Sequence, residues 1–259
     1  MSLVISHIES SIGTLTLDNS RKLNALSDKL VTELITNLET LQASDVRVVV
    51  LRAAQGTKVW SAGHDINELP VGGRDPLGWD DPLRHLVRTI ENFPCPVIAM
   101  VEGGVWGGAC EVVLACDLVI AAPNATFAVT PARLGVPYNV SGMMTFMNSA
   151  NIRIIKEMAF TAQPVAAERA ERMGMINHLV EADKLAEFTY KMAGVIAANS
   201  PLSIRVMKEQ LRVLTGANPL TPRGFERIQG LRRVVYDSED YREGISAFKE
   251  KRPPKFTGR

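Results

Sequence analysis

The segment GGVWGGACEVVLACD, from Gly103 to Asp117, concentrates residues that could do chemistry. It follows the apolar run VIAMV, has four glycines in its first six residues, and carries a carboxylate at Glu111. A strand, a glycine-rich turn and a helix start in this order would direct unpaired backbone N–H groups at whatever lies in front of the turn. Such a place suits developing negative charge. An equally weighted reading is that the glycines only let the strand and the helix pack closely.

Three well-known glycine motifs do not fit this segment. The dinucleotide-binding pattern GxGxxG fails because residue 105 is valine, and a P-loop fails because Gly108 is followed by Ala109 rather than lysine. No GxSxG occurs that could form a nucleophile elbow. The segment is therefore not read as a nucleotide phosphate cradle.

A second small-residue turn, WSAGHDINEL at 60–69, follows a candidate strand and leads into a candidate helix. Two such turns can supply two N–H donors to one oxygen atom. No metal site is expected, because the four histidines are widely separated and form no ligand pairs: His7, His64, His85 and His178. The three cysteines lack CxxC spacing, which argues against zinc and disulfides and fits a reducing cytoplasm: Cys95, Cys110 and Cys116.

The elements that must position these turns alternate between strands and helices. Leu3–Leu17 predicts a hairpin with its turn at Ser11–Gly13, and Ser27–Leu41 predicts an amphipathic helix capped by Ser27. Short apolar runs predict buried parallel strands at 46–51, 97–101 and 118–121. The pattern indicates an α/β layered core.

From Ile152 onward the sequence is mostly helical, with breaks at prolines. No linker-like change of composition marks a boundary, and the division we expect is a core at 1–199 and a C-terminal helical region at 200–259 that serves assembly. The formal net charge of +1 in 259 residues gives no basic face for nucleic acid or a membrane surface. The first residues, MSLVISHIESS, do not resemble a signal peptide. A soluble, cytoplasmic protein with a small-molecule partner is expected.

Three motifs in this order resemble the crotonase (enoyl-CoA hydratase/isomerase) superfamily: SAGHDI at 61–66, the glycine segment with Glu111 and Asp117, and AFKEKRPPKF at 247–256. The resemblance covers essentially the whole chain. It implies a spiral of ββα turns with a C-terminal helical layer, an acyl-CoA thioester as substrate, and a homotrimer or a dimer of trimers. It also implies an oxyanion hole made by the backbone N–H groups of His64 and Gly108.

The segment TPARLGVPYN at 130–139 narrows the expected activity within this superfamily. Hydratases of the superfamily use two glutamates around a water, and this sequence has Glu111 but carries Pro131 at the second position. With the segments at 64–77, 225–233 and 236–241, the chain is similar to members that decarboxylate malonyl-type thioesters. The resemblance implies that methylmalonyl-CoA is converted to propionyl-CoA without a cofactor.

Loss of CO₂ generates its own carbanion, so the reaction needs no base; it needs stabilisation of the thioester enolate and a fixed geometry for the departing carboxylate. The resemblance assigns the carboxylate to Tyr138, as a neutral phenol. Glu111 is a possible proton donor to the enolate, a relic, or a structural carboxylate at a helix start. An enoyl-CoA hydratase or isomerase, or a non-catalytic acyl-CoA-binding relative, remains as an alternative.

The resemblance also implies the contacts of the coenzyme. The segment His64–Glu68 would line the adenine and pantetheine path, and Thr130 would contact the acyl end. Lys251 would reach the coenzyme A phosphates, often from a neighbouring subunit, although KEKRPPK alone reads as a solvated charged tail. The residues expected at the coenzyme are His64, Asp65, Ile66, Asn67, Glu68, Gly108, Thr130 and Lys251.

Overall fold

The structure is a computed structural model that describes residues 2–70, 75–217 and 219–258. In these residues ten strands form a six-stranded sheet of order β1-β2-β3-β5-β7-β10 and a four-stranded sheet of order β4-β6-β8-β9. The strands are β1 Val4–Glu9, β2 Ile12–Leu17, β3 Val48–Ala53, β4 Val59–Ser61, β5 Val97–Val101, β6 Gly104–Trp106, β7 Leu118–Ala121, β8 Thr126–Ala128, β9 Val165–Ala166 and β10 His178–Leu179.

The helices of the described chain follow the strands in a regular order. They are α1 Asp28–Ala43, α2 Pro82–Glu91, α3 Gly108–Leu114, α4 Val140–Ser149, α5 Ile152–Thr161, α6 Ala167–Arg172, α7 Leu185–Ala198, α8 Pro201–Thr215, α9 Pro222–Tyr236 and α10 Glu239–Lys249. Short 3₁₀ turns lie at Ser20–Lys22, Ile66–Glu68 and Pro131–Leu134. Among these described helices, none combines the length and apolar character needed to cross a bilayer.

A ββα unit repeats three times, as β3-β4-α2, β5-β6-α3 and β7-β8-α4. In each unit the first strand joins the large sheet and the second joins the small sheet, before the helix returns over them. The expected α/β spiral is therefore confirmed. Equivalent strands of successive repeats pair in parallel, so that successive repeats place equivalent loops side by side.

The predicted hairpin and first helix are both present. The hairpin turn lies at Ser10–Ser11, one residue earlier than the sequence indicates, because Ile12 and Gly13 already pair with Glu9 and Ile8. Both turn residues have positive φ, which matches the twist of a two-residue hairpin. Helix α1 begins where Ser27 accepts a hydrogen bond from the N–H of Leu30 at 3.4 Å.

The central strands of the large sheet, β3, β5 and β7, are buried on both faces, which explains their uninterrupted apolar sequences. Val49 and Leu51 of β3 pack into the main core with α1 and α2, while Val48 and Val50 face α7. Parallel sheets covered by helices on both sides show this continuous pattern rather than alternation. The predicted strand at 46–51 is observed at 48–53, where β3 pairs with β2 as far as Ala53.

The last three helices differ from the rest of the chain. Helix α8 has no buried residue, whereas α10 packs its Gly244 against Leu134 of the third 3₁₀ turn. A Cβ at Gly244 would lie 2.3 Å from the carbonyl oxygen of Leu134. The C-terminal region thus contacts the segment that carries Tyr138, and its separation from the core at residue 200 stays a prediction.

Candidate active site

The two glycine turns meet in the structure. Ser61 ends β4 and Trp106 ends β6, and these strands are neighbours in the small sheet. A Cβ at Gly63 would lie 2.4 Å from the carbonyl oxygen of Trp106 and 2.9 Å from the nitrogen of Gly108. Gly63 also has a φ of +86°, so a side chain is excluded both by contact and by conformation. The glycines therefore permit a close approach of two backbone segments.

The predicted turn in the glycine segment is shorter than expected. Residues Gly104–Trp106 form β6, and α3 begins at Gly108, which leaves Gly107 with φ 56° and ψ −127° as the connection. Pairing of β6 with β4 and β8 outweighs the low strand preference of glycine. The sharp turn at Gly107 places the first N–H of α3 next to the end of β4.

Two backbone donors converge at this junction. A Cβ at Gly108 would lie 3.6 Å from the nitrogen of His64 and 2.5 Å from Leu83 Cδ2. Within the described residues, neither the N–H of His64 nor that of Gly108 donates a hydrogen bond. Two unpaired donors side by side can bind one oxygen that gains negative charge.

The imidazole of His64 is engaged away from these donors. Its Nε2 lies 3.3 Å from Oδ2 of Asp81, and its Nδ1 lies 3.2 Å from the carbonyl oxygen of Asp65. Burial disfavours the protonated ring, but the Asp81 carboxylate outweighs burial, and the pKa of His64 is raised. Because Asp81 also caps α2 through the N–H of Leu83, the ring ties the turn to a helix start.

Glu111 lies fully buried behind the glycine turn. Its Oε1 forms an ion pair with Arg84 of α2, which is itself only 4% exposed. The other oxygen, Oε2, is buried with no hydrogen-bond partner among the described residues. Burial lowers the pKa of Arg84. Through this pair, Glu111 of α3 is linked to α2 beneath the glycine turn.

Arg84 is a site residue that the sequence reasoning missed. An arginine near the start of a helix is usually solvated. The available signal was its position on α2, three residues before Val87 and within the stripe of buried Leu83, Leu86, Val87 and Ile90. A charged residue on such a stripe needs a buried partner, and Glu111 is the buried carboxylate that pairs with it.

Tyr138 lies between the third 3₁₀ turn and α4. Its ring packs edge-on against Phe146, with centroids 5.0 Å apart, and a Cβ at Gly142 would lie 2.6 Å from ring carbons. Burial raises the pKa of Tyr138, with the neighbouring Cys110 adding to the rise. The ring is thus fixed and the phenol neutral, and its hydroxyl forms no hydrogen bond with any described residue.

Thr130 and Pro131 begin the 3₁₀ turn beside the glycines. The Oγ1 atom of Thr130 would lie 2.9 Å from a Cβ at Gly107, so Thr130 borders the donor pair. Pro131 occupies the first position of the turn, where its fixed φ suits the backbone. Pro131 stands where the resemblance would place the second acid of a hydratase, and a proline cannot transfer a proton.

Comparison with known proteins agrees with this geometry. The enoyl-CoA hydratase/isomerase family model matches residues 7–259. The chain belongs to the enoyl-CoA hydratase/isomerase family. It is 51% identical over 247 residues to methylmalonyl-CoA decarboxylase of Escherichia coli (strain K12), covering 95% of each chain. It is 29% identical to 2,3-dehydroadipyl-CoA hydratase of the same organism, over the full length of both.

A solved structure of methylmalonyl-CoA decarboxylase in complex with 2-nitronate-propionyl-CoA superimposes with a TM-score of 0.97. Its sequence is 50% identical, and the match covers 99% of each chain. A second, in complex with 2S-carboxypropyl CoA, gives 0.98 at 49% identity, over 100% of this chain and 99% of the other.

The family's expected coenzyme segment is held by its own side chains. Asp65 Oδ1 accepts hydrogen bonds from the backbone and side-chain nitrogens of Asn67, at 3.0 and 2.9 Å, which fixes the 3₁₀ turn Ile66–Glu68. Glu68 Oε2 accepts the N–H of Asp28 at the start of α1, at 2.8 Å. Of the segment 64–77, residues 71–74 lie outside the described residues.

A cleft of about 480 Å³ opens beside this segment. Its described lining consists of Asp28, His64, Glu68, Leu69, Pro70, Asp75, Pro76, Gly78, Trp79, Asp80, Asp81 and Pro82. The lining combines apolar residues and the side chain of His64 with five carboxylates, Asp28, Glu68, Asp75, Asp80 and Asp81. The cleft reaches the donor pair through His64.

Lys251 is not one of the residues that line this cleft. It is exposed, just after α10, with a φ of +56°, and its N–H donates to the carbonyl oxygen of Phe248 at 3.1 Å. Its neighbour Arg252 binds Glu243 with two hydrogen bonds at 2.6 and 2.8 Å. Within one chain, His64 and Gly108 lie side by side, Thr130 borders Gly107, and Tyr138 lies near Cys110 of α3. Lys251 is not among the residues around them.

Proposed function

We propose that this chain decarboxylates methylmalonyl-CoA to propionyl-CoA. One observation carries the proposal: two unpaired backbone donors lie beside the 3₁₀ turn that begins at Pro131, and the phenol of Tyr138 lies near Cys110 of the donor helix α3. The identity of 51% to an Escherichia coli methylmalonyl-CoA decarboxylase supports it. Hydration needs two groups that exchange protons around a water, whereas decarboxylation does not.

The N–H groups of His64 and Gly108 form the oxyanion hole of this proposal. As the C–CO₂ bond breaks, its electron pair moves into the thioester carbonyl, and the oxygen becomes an enolate held by both donors. CO₂ leaves, and a proton then adds to the carbon to give propionyl-CoA. The donors are preorganised because their glycine turns cannot move apart without breaking the contact at Gly63.

Tyr138 orients the departing carboxylate in this proposal. The bond to CO₂ must stand perpendicular to the thioester plane for its electrons to reach the carbonyl. A neutral phenol donates a hydrogen bond without the strong charge pairing that lysine or arginine would give to the ground state. Its raised pKa keeps the Tyr138 hydroxyl protonated, and therefore a donor.

Glu111 acts as a structural carboxylate rather than as the acid. Its ion pair with Arg84 is buried, and the pair fixes α2 against α3 at the base of the glycine turn. The proton that completes propionyl-CoA then comes from solvent. Asp65 and Glu68 likewise shape the coenzyme segment, and Thr130 contacts the acyl end.

The reaction uses no cofactor, because the thioester itself accepts the electron pair. Coenzyme A enters as part of the substrate. In the described residues, no group of three or more potential metal-ligating side chains is close enough to hold an ion. We place the protein in the cytoplasm on the basis of its three cysteines, all free thiols.

We further propose a homotrimer, alone or paired into a hexamer, assembled through the region 200–259. Large apolar side chains on α8 and α9 support this, because Leu202, Leu214 and Val234 are 74%, 71% and 69% exposed. Apolar surface of this extent marks an interaction surface. A neighbouring copy would bring Lys251 to the coenzyme phosphates.

The test compares CO₂ release from methylmalonyl-CoA with hydration of crotonyl-CoA by the purified, EDTA-treated protein. We expect CO₂ release and no hydration. Rates with malonyl-CoA and ethylmalonyl-CoA then show which thioester is the preferred substrate. Hydration without CO₂ release would make the chain a hydratase. Binding of the thioesters without turnover would make it a non-catalytic relative.

A further inference from the structure

Both residues that flank Tyr138 are fixed by distant parts of the chain. The carbonyl oxygen of Pro137 accepts a hydrogen bond from the hydroxyl of Tyr236 in α9, at 3.1 Å. On the other side, the side-chain amide of Asn139 donates to the carbonyl oxygen of Leu77 at 2.9 Å. The backbone that carries the phenol is therefore held at two points, one on each side.

These two points are joined to each other. Arg232 Nη2 donates to Oδ1 of Asp75 and to the hydroxyl of Tyr236, both at 2.8 Å. The same Asp75 oxygen accepts the N–H of Leu77 at 2.8 Å. Asp75, Arg232 and Tyr236, which we call the tyrosine clamp, thus connect the Pro137 anchor to the Leu77 anchor.

Two of the three clamp residues are buried. Arg232 is 4% exposed and Tyr236 is 3% exposed, and Arg232 Nε has no hydrogen-bond partner among the described residues. A buried guanidinium with an unsatisfied nitrogen is a poor device for stability alone. Burial raises the pKa of Tyr236, so its hydroxyl stays protonated and donates to Pro137.

We infer that Arg232 and Tyr236 are positioning residues that set the hydroxyl of Tyr138 in the reactive geometry. The inference rests on the proposed function, because it assigns the clamp to the carboxylate side of the decarboxylation site. Displacement of a catalytic group by about 1 Å can cost on the order of 100-fold in rate. The clamp controls displacement of this size, since it holds the residues before and after the phenol.

A double-mutant cycle tests the inference. Tyr236→Phe removes the hydrogen bond to Pro137 and keeps the ring, which packs against Tyr241 with centroids 5.7 Å apart. We expect kcat for methylmalonyl-CoA to fall roughly tenfold, with KM changed less than about twofold. In a Tyr138→Phe background, the same change should cost less than about twofold, because there is no hydroxyl left to position.

Tyr190→Phe provides the matched control. It also removes one hydrogen bond of a tyrosine hydroxyl, to Thr14 at 3.0 Å. Tyr190, however, lies on α7, at the opposite face of the large sheet. Its kcat should equal that of the wild type. Equal losses for Tyr236→Phe in both backgrounds, or no loss in either, would overturn the inference.

A second readout does not depend on turnover. The chain has four tyrosines, so ¹³C labelling of their rings gives a simple NMR spectrum in which Tyr138→Phe identifies one resonance. Tyr236→Phe should shift or broaden the Tyr138 resonance, and Tyr190→Phe should leave it unchanged. A Tyr138 resonance that does not move in Tyr236→Phe contradicts the clamp. A wild-type protein that releases no CO₂ contradicts the proposed function, and the NMR result still decides whether the clamp positions Tyr138.

Discussion

On one side of the candidate site, the main chain itself presents the N–H groups of His64 and Gly108, whereas on the other side a loop carries the hydroxyl of Tyr138. The first side is built by two strand ends that lie next to each other in one sheet. The second depends on side chains of α9 and of residues 75–77, which lie far away in sequence. The two sides therefore respond to different substitutions.

The difference separates a part of the site that most side-chain substitutions leave intact from a part that they can change. Donors made of backbone survive most changes of side chain, as long as the glycines remain. The loop at 130–139 can exchange an acid for Pro131 or add a phenol without disturbing those donors. An enolate-stabilising frame can thus be kept while the chemistry that forms the enolate is altered.

The largest loss of activity is expected from Gly63→Ala, which disturbs the side of the site that presents the backbone donors. Its Cβ would lie 2.4 Å from the carbonyl oxygen of Trp106, and neither backbone atom can move without separating the two turns. We expect kcat/KM to fall by about 10³-fold or more, since both donors are displaced. Steady-state decarboxylation kinetics measures the loss.

Gly194→Ala is the matched control for that substitution. A Cβ at Gly194, in α7, would meet nothing within 4 Å, so activity should be retained and stability should not fall. Retention of activity by Gly63→Ala would show that the two turns do not form the donor pair.

On the other side of the site, Tyr138→Phe is expected to have a smaller effect than Gly63→Ala. The ring and its contact with Phe146 remain, so folding and affinity for the coenzyme should be unchanged. We expect kcat for methylmalonyl-CoA to fall by about 10²-fold, by analogy with the loss of one oriented donor. A change confined to KM would mean that the hydroxyl only binds substrate, and near-normal turnover would remove Tyr138 from the mechanism.

The backbone side was also the side that the sequence could predict. The glycine segment, the turn at SAGHDI and the alternation of strands and helices are local signals, because each depends on neighbouring residues. Even there, the strand at Gly104–Trp106 was not apparent, since pairing with β4 and β8 overrides the low propensity of glycine. The local sequence pattern predicts that a strand or helix is present, and tertiary pairing determines where it begins and ends.

On the side of the site that carries Tyr138, the sequence pointed only to Tyr138 itself, and only through the resemblance to the superfamily. Ion pairs between distant residues could not be predicted on either side of the site: Arg84, beneath the backbone donors, pairs with a carboxylate 27 residues away, and Arg232 with one 157 residues away. No periodicity in a single sequence contains such pairings. The segments at 225–233 and 236–241 drew notice as similar to the decarboxylating members, and the structure gives their Arg232, Tyr236 and Tyr241 contacts with the loops around the site.

Glu111→Gln sharpens the comparison because Glu111 supports the backbone side without touching the donors. Removing one charge of a buried ion pair should lower the free energy of unfolding by about 3 kcal/mol, measured by urea denaturation. The fall in kcat should be smaller than for Tyr138→Phe. The double variant Arg84→Met with Glu111→Gln should regain part of the stability. If Glu111→Gln instead lost as much kcat as Tyr138→Phe while its stability stayed intact, Glu111 would be the acid.

The smallest effect is expected from the side chain of His64, whose N–H we assign to the site but whose ring we do not. Burial disfavours its charged form, and the hydrogen bond and charge of Asp81 outweigh burial, with smaller contributions from the Asp65 carbonyl and Glu68. Because the pKa of His64 in the folded state is raised above its ordinary value of 6.5, this stabilisation is fully present below pH 6.5 and is lost as pH rises through the folded-state pKa. Asp81→Asn keeps a residue that can cap α2 but removes the charge. It should therefore lower the free energy of unfolding by up to about 1 kcal/mol at pH 5.5 and by less at pH 9, while kcat changes less than about twofold. A large fall in kcat with no pH-dependent change in stability would show that the imidazole takes part in the reaction, and the backbone side of the site would then no longer be backbone alone.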